Sequence, residues 1–245
     1  TIGVGAFYNT GLLSLTIPAN VSSIGQGAFV ARHMDSYPVY LTRSNSYESW
    51  YAGKYNSYYC GGGTLQEVIF AANSQLKSLP SYAFIGQVAL RTIDWANSNI
   101  TTINKGAIAY CKSLKIPQLP KKLKTIKEYA FDQCSAIDTI LLPPRLETIE
   151  RYAFKDCSAV DVIKISSSVR NISNYAFTGC PDVSRVYTYT VEPTNILQQT
   201  FRCFLWKVLQ LVANVFVPLL FHLFSPLFLK TSSLHFTQFV SLGIL

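Results

Sequence analysis

The sequence predicts a β-rich repeat solenoid, a coil of short parallel strands stacked rung on rung. Three observations predict it. Ala130-Phe131, Ala153-Phe154 and Ala176-Phe177 are spaced 23 residues apart. Cys111, Cys134, Cys157 and Cys180 keep the same step. Each period also carries an apolar triplet of the form L-x-x-I-x-L, as in Ile137/Ile140/Leu142 and Val160/Ile163/Ile165. A fixed period of this length marks a repeat in which no single unit can bury its own apolar side, so several copies must stack.

Within a period the elements follow in a constant order. The last two apolar positions of the triplet alternate with polar ones, which predicts a short strand with one buried face. A Pro or polar turn comes next (Pro18, Pro120, Pro143), then a second apolar slot, then the Ala-Phe block. Phe7, Phe29, Phe84, Phe131, Phe154 and Phe177 occupy that block as the buried aromatic, and Ile108 stands in the same slot. Seven copies fill residues 1–194, and the one opening at Ile24 is 55 residues long. Stacked rungs bring equivalent residues about 4.8 Å apart in parallel register. Pro117 falls on a strand position and departs from the pattern.

The repeat I-x-x-Y/G-A-F-x-x-C-x-x-L-x-x-I-x-L-P, read from Ile126, Ile149 and Ile172, resembles the BspA-like leucine-rich-repeat family. The resemblance implies a leucine-rich-repeat solenoid with little α-helix, a right-handed β-rich horseshoe. It also implies surface-exposed proteins of bacteria and protist parasites, often linked to adhesion. The Cys slot is then an inward-facing small residue.

The 245 residues divide into the repeat domain 1–194, an insertion at 32–63 within it, and a tail at 195–245. Ile2 already sits in a repeat slot, so the chain reads as a fragment whose start lies upstream. The net charge is +8, and residues 1–194 hold 18 basic and 13 acidic residues. Charges one rung apart alternate, as in Lys105–Glu128–Arg151 and Lys124–Glu147–Arg170, and such cross-strand pairs stabilise by roughly 0.2–1 kcal/mol each. The cluster Lys121, Lys122, Lys124 and Lys127 belongs to this alternating pattern. Nucleic-acid binding needs one sign along a stripe with aromatics interleaved, so nucleic acid is not an expected partner.

The cysteines allow two readings. Free Cys packs as a small apolar residue, giving a buried thiol column at Cys111, Cys134, Cys157 and Cys180. Neighbouring rungs also come within reach of disulfide geometry. With no C-x-x-C and no nearby His pair, neither zinc nor a cofactor is expected.

The insertion carries Tyr37, Tyr40, Tyr47, Trp50, Tyr51, Tyr55, Tyr58 and Tyr59 among Ser, Asn and Gly. That composition is shared by antibody paratopes, where rigid aromatics make contacts and small polar residues adapt. A contact loop, a cover for the solenoid edge and plain disorder are the competing readings. In the tail, Val208 to Leu229 is 22 residues without Asp, Glu, Lys or Arg, long enough to span a bilayer as a helix. A membrane anchor, a shifted reading frame and an apolar cap on the last rung all account for it.

Catalytic chemistry finds little support. His33 is the one histidine in 1–194 and no motif surrounds it. Asp138 and Asp161 share a slot on neighbouring rungs, at a separation known from paired acid/base carboxylates, but a solvated face explains them better. Gly61-Gly62-Gly63 lacks the Lys and spacing of a phosphate loop. The sequons at Asn20, Asn99 and Asn171 fall in turns that a glycosylating host could reach.

Binding is the remaining class. The outward strand positions include Arg91, Asp94, Gln118, Asp138, Leu141, Asp161, Lys164, Arg185 and Tyr187. The sequence thus predicts a non-enzymatic cell-surface or plasma-membrane adhesion protein. Its partner would be a host or matrix protein, bound through the strand face and the Tyr-rich loop, with a glycan as the second class of partner. A soluble cytoplasmic interaction scaffold is the alternative.

Overall fold

The computed structural model describes residues 1–31, 62–116 and 118–189. The strands in chain order are β1 (Ser14–Ile17), β2 (Glu67–Phe70), β3 (Ser78–Leu79), β4 (Thr92–Asp94), β5 (Thr102–Ile103) and β6 (Thr125–Ile126). They continue with β7 (Thr139–Leu141), β8 (Thr148–Ile149), β9 (Val162–Ile165), β10 (Asn171–Ile172) and β11 (Arg185–Thr188). All pairings are parallel, and each joins equivalent positions of successive repeats: Ile17 opposes Phe70, Ile126 opposes Ile149, and Ile163 opposes Val186. The described residues contain no helix.

Two lines of strands run along the stack. The apolar triplets form β1-β2-β4 and β7-β9-β11, while the second apolar slots form the continuous sheet β3-β5-β6-β8-β10. An isolated parallel bridge between Ile2 and Ile24 prolongs this second line toward the N-terminus. The first line is interrupted at the rung after β4, where the expected strand is missing among the described residues. Pro117 belongs to that rung, and a proline has no N–H to give to a ladder. The three-stranded sheets lie on either side of it.

Alternation puts one side of each strand inside. Val68 and Phe70 of β2, and Ile163 and Ile165 of β9, are fully buried, and Lys164 between the latter two faces solvent. The main apolar core runs from Ile17 to Val183 and takes side chains from both lines of strands, and a smaller cluster gathers Val30, Tyr82, Ile85 and Ala109. The Phe slot adds a column of nearly parallel rings. Phe7, Phe29 and Phe84 stack at 5.2 and 5.1 Å, and Phe131, Phe154 and Phe177 at 5.0 and 5.2 Å. Ile108 separates the two runs. Phe7 is 38% exposed rather than buried, because it belongs to the first rung and stacks on one side alone.

The corner carrying the Ala-Phe block explains the Tyr/Gly choice in the motif. Gly5, Gly27, Tyr82, Gly106, Tyr129, Tyr152 and Tyr175 all have φ between 57° and 64°. That left-handed conformation costs an ordinary L-residue about 1–2 kcal/mol and glycine nothing. Where Tyr is used, ring contacts offset the strain: Tyr129, Tyr152 and Tyr175 stack at 5.0 and 5.7 Å. Four residues on, Asn9, Gly86, Tyr110, Gln133, Asp156 and Gly179 repeat the positive φ.

The cysteines complete this corner. From Phe7 to Phe154, each Phe-slot N–H donates to the Ala carbonyl of the next rung, as Phe131 does to Ala153 at 2.8 Å. The Phe-slot carbonyl receives a thiol from the same next rung. Cys111, Cys134, Cys157 and Cys180 donate to the carbonyls of Phe84, Ile108, Phe131 and Phe154 at 3.1–3.3 Å. Gln87 fills the Cys slot one rung earlier, and its Nε2 donates to Phe29 O at 2.8 Å. The slot therefore calls for a side-chain donor and not merely for a small residue. All four thiols are buried and unbonded to one another, and burial pushes those of Cys111, Cys134 and Cys157 above their ordinary range.

Candidate functional site

The outward side of the triplet strands presents residues in straight rows across rungs. Register places Leu141, Lys164 and Tyr187 in one row and Thr139, Val162 and Arg185 in another. On the N-terminal half, Thr16, Ile69 and Asp94 form one row, and Ser14, Glu67 and Thr92 the next. Neighbours within a row sit one strand spacing apart, about 4.8 Å, so a partner meets a fixed grid. Of the predicted face residues, Arg91, Asp94, Gln118, Asp138, Leu141, Lys164, Arg185 and Tyr187 are exposed and Asp161 is half-buried. Gln118 stands in the interrupted rung, and so lies off the two strand grids.

The C-terminal half combines apolar and charged groups. Leu141 is 37% exposed, Tyr187 43% and Tyr189 64%. Tyr189 is the next outward position after Tyr187, and the strand periodicity of two could have found it. Lys164 places its Nζ 5.7 Å from the centre of the Tyr187 ring. Asp161 reaches forward to the next rung, where it accepts hydrogen bonds from Ser184 and from Arg185, the latter at 2.5 Å. These bonds hold its carboxyl below the usual carboxylate range. Asp161 is thus committed to an ion pair with Arg185, which removes the physical basis for a shared-proton dyad with Asp138.

The alternating charge columns form in part. Lys105–Glu128 and Lys124–Glu147 pair at 3.8 and 3.6 Å. Arg151 does not pair with Glu128 as its slot predicts. Its guanidinium lies 4.6 Å from the Tyr152 ring centre and 5.2 Å from that of Tyr175, and donates to the Tyr152 hydroxyl. Among the sequons, the Asn99 amide donates to Ser74 O at 2.6 Å and its oxygen accepts from Lys122 Nζ. A further charged site is internal: Asp132 is buried, with Lys155 3.7 Å away, and Lys155 also pairs with Asp156 at 2.6 Å.

Tyr37, Tyr40, Tyr47, Trp50, Tyr51, Tyr55, Tyr58 and Tyr59 lie outside the described residues, as does the tail segment 208–229. Ala31, just before the insertion, and Gly63, its last residue, are described, and they meet. A side chain at Gly63 would come within 2.7 Å of Ala31 Cβ and 2.6 Å of Gln87 Cα. Gly63 O accepts from Ala89 of the next rung, and Thr64 Oγ1 donates to Leu12 O of the previous one. The insertion therefore leaves and rejoins the coil at one corner, three residues before Gln66 on the outward strand face. Among the described residues no group of His, Cys, Asp and Glu could hold a metal ion, and no helix is long and apolar enough to cross a membrane.

A family model for the BspA type leucine rich repeat region matches the chain in six copies, over residues 1–38 and 54–184. No curated protein matches it. Among solved structures, a leucine rich cell surface protein from Faecalibacterium prausnitzii A2-165 is similar over 78% of this chain and 43% of its own, at 22% identity and a TM-score of 0.55. That likeness is one of fold, and the chain spans less than half the length of that protein. A leucine rich repeat protein of T. pallidum is similar over 49% of this chain and 57% of its own (24% identity, TM-score 0.45). One from Bacteroides ovatus is similar over 46% and 29% (31% identity, TM-score 0.43).

Proposed function

The chain belongs to the BspA-type leucine-rich-repeat family, and on that premise we propose that it is a non-enzymatic recognition protein of the cell surface. It binds a host or matrix protein through the outward side of the triplet strands, with the Tyr-rich insertion as a second contact. The observation that carries this reading is the C-terminal grid. Leu141, Lys164, Tyr187 and Tyr189 stand exposed in register beside the Asp161–Arg185 pair. Exposed Tyr and Arg side chains on a rigid scaffold are the groups that dominate protein interfaces. The insertion re-enters the coil at Gly63, three residues before Gln66 of the same face. The tail provides the membrane anchor.

Solid-phase binding of the full chain to immobilised extracellular-matrix proteins tests this. Binding should be saturable, should fall tenfold or more in Leu141→Ser/Tyr187→Ala, and should fall again in Trp50→Ala/Tyr51→Ala, with melting temperatures unchanged. Binding that ignores all four substitutions removes both contacts from the reading. The buried free thiols favour one other reading, a scaffold inside a reducing compartment. Labelling of intact cells with a membrane-impermeant amine reagent separates the two: a labelled chain lies outside.

A further inference from the structure

Charge is unevenly placed around the coil. The second sheet with its flanking turns, residues 74–82, 98–106, 121–129, 144–152 and 167–175, carries nine basic and three acidic residues. The rest of the described residues carry six and seven. The acids on this side are also committed. Glu128 pairs with Lys105 and Glu147 with Lys124, and Glu150 accepts from the backbone N–H of Glu128. Among the described residues, Lys77, Lys121, Lys122, Lys127, Arg145 and Arg170 enter no ion pair. Of the Lys121–Lys127 cluster, only Lys124 follows the alternating pattern.

The fold arranges these cations on two flanks of the sheet. The turns before β6 and β8 close by equivalent hydrogen bonds, from Leu123 to Pro120 and from Leu146 to Pro143, which puts Lys122 and Arg145 at the same place on neighbouring rungs. Arg170 stands on the rung beyond, just before β10, and Lys77 just before β3. Lys127 and Arg151 lie on the opposite flank, after β6 and β8. Between the flanks, Ser78, Thr102, Thr125, Thr148 and Asn171 form a column in register. Among the described residues none of these five side chains enters a hydrogen bond. Five strands span four spacings, about 19 Å.

A surface of one sign selects a polyanion, and three features decide which. The described residues hold no helix that could enter the groove of a duplex. The Tyr129, Tyr152 and Tyr175 rings stack on one another with Arg151 over the last two, so their faces are not free to stack the bases of a single strand. Of the large apolar side chains, only Tyr175 is exposed on this side, which leaves little to sink into a lipid surface. A linear glycan bearing anionic groups fits what is present. Lys and the forked Arg guanidinium bind such groups by charge-assisted hydrogen bonds, and the free hydroxyls between them meet the hydroxyls of the sugars. Lys121, Lys122 and Lys127 stand on the β6 rung alone, a density that calls for sulfates rather than carboxylates only. We propose that the outward side of β3-β5-β6-β8-β10, with its basic flanks, binds a sulfated linear glycan laid across the rungs.

Titration calorimetry of the full chain with a heparin octasaccharide tests this, with the desulfated octasaccharide, a DNA duplex and phosphatidylserine vesicles as comparisons. The sulfated chain should bind ten times or more tighter than the desulfated one, and should lose tenfold or more between about 50 and 200 mM salt as counterions compete. Lys122→Gln/Arg145→Gln should weaken binding tenfold or more at unchanged melting temperature, since both side chains are exposed. If that pair melts early, Lys127→Gln/Arg170→Gln reads the same surface with a loss of fivefold or more. Lys112→Gln/Lys115→Gln removes the same charge from the triplet-strand side and should leave binding within twofold. An equal loss in that control makes the effect one of net charge and overturns the proposal. So does a failure of the heparin octasaccharide to bind, and so does binding of the duplex or the vesicles as tight as that of heparin. None of these results bears on protein binding by the triplet strands.

Discussion

Replacing Cys134 tests whether the cysteine slot is a donor or a filler. Its Sγ lies 3.2 Å from the carbonyl of Ile108, which no other described group bonds, and both residues are fully buried. In Cys134→Ala the lost apolar contact costs about 1 kcal/mol, by comparison with a buried methylene. The orphaned carbonyl costs a further 1–3 kcal/mol or so. The thiol is a weak donor, so the sum falls at about 2–3 kcal/mol. For a chain of this size that lowers the melting temperature by roughly 5–10 °C. Cys134→Ser gives up the sulfur but keeps a stronger donor, and should lose only about 1–2 kcal/mol. Urea denaturation of both variants measures the order, with the mutant always read against the unaltered chain. A filler would give the opposite order, since alanine buries no polar group whereas serine buries a hydroxyl. Serine falling below alanine would therefore refute the account of the corner.

Four other outcomes follow from the geometry. Tyr152→Gly should stay within about 1 kcal/mol of the parent, because relief of the left-handed φ offsets the lost ring contacts, while Tyr152→Ala keeps the strain and should lose about 1–2 kcal/mol; equal losses in denaturation would argue against strain at φ 59°. Phe154→Ala opens the ring column between Phe131 and Phe177 and should cost about 3–5 kcal/mol by the same assay. Lys155→Met leaves the buried Asp132 without that cation and should cost about 2–3 kcal/mol, at the low end for a broken buried pair because Lys155 is itself part exposed. Burial pulls the Lys155 ammonium down, but the hydrogen bond and charges of Asp156 and Asp132 prevail and raise it above 10.5. Its contribution is thus complete below that pH and lost as pH climbs through the raised value, a loss that Lys155→Met should abolish in an alkaline denaturation series. Asp161 behaves oppositely: its carboxyl is held below 3.8 by Ser184 and Arg185, so its contribution is present above that pH and fades as pH falls through the lowered value. Carboxyl NMR should show Asp161 titrating higher in Ser184→Ala/Arg185→Ala, and an unmoved titration would dismiss the pairing.

The coil, its register and its core were legible because they rest on periodicity. A 23-residue step repeats apolar residues at the same place in every rung, and stacking makes those places touch. Pro117 announced its own disturbance through the missing N–H, and the interrupted strand line carries the mark. The corner was only half legible. The motif displayed Tyr or Gly before Ala-Phe without revealing that both serve a positive φ. It displayed Cys without revealing the carbonyl each thiol meets, although Gln87 in the same slot hinted at a donor. Arg151 was misplaced because counting charges by slot ignores the aromatic rings that compete for a guanidinium. Register placed most of the strand face correctly, but it gave no warning that Asp161 turns toward Ser184 and Arg185. The Tyr-rich insertion and the tail carry no period, so periodicity had nothing to offer on either.

The junction of Ala31 and Gly63 bears on how such a chain can change over generations. Because the coil closes on itself at that corner, the intervening stretch is tethered at two adjacent points. Opening a loop of this length costs only roughly 3 kcal/mol of closure entropy, and doubling it adds about 0.6. The rungs on either side need not shift to admit a longer, shorter or wholly rewritten segment. Selection can therefore trade one cassette for another at this corner while the frame that displays it stays the same, provided a glycine remains where Gln87 and Ala31 close in.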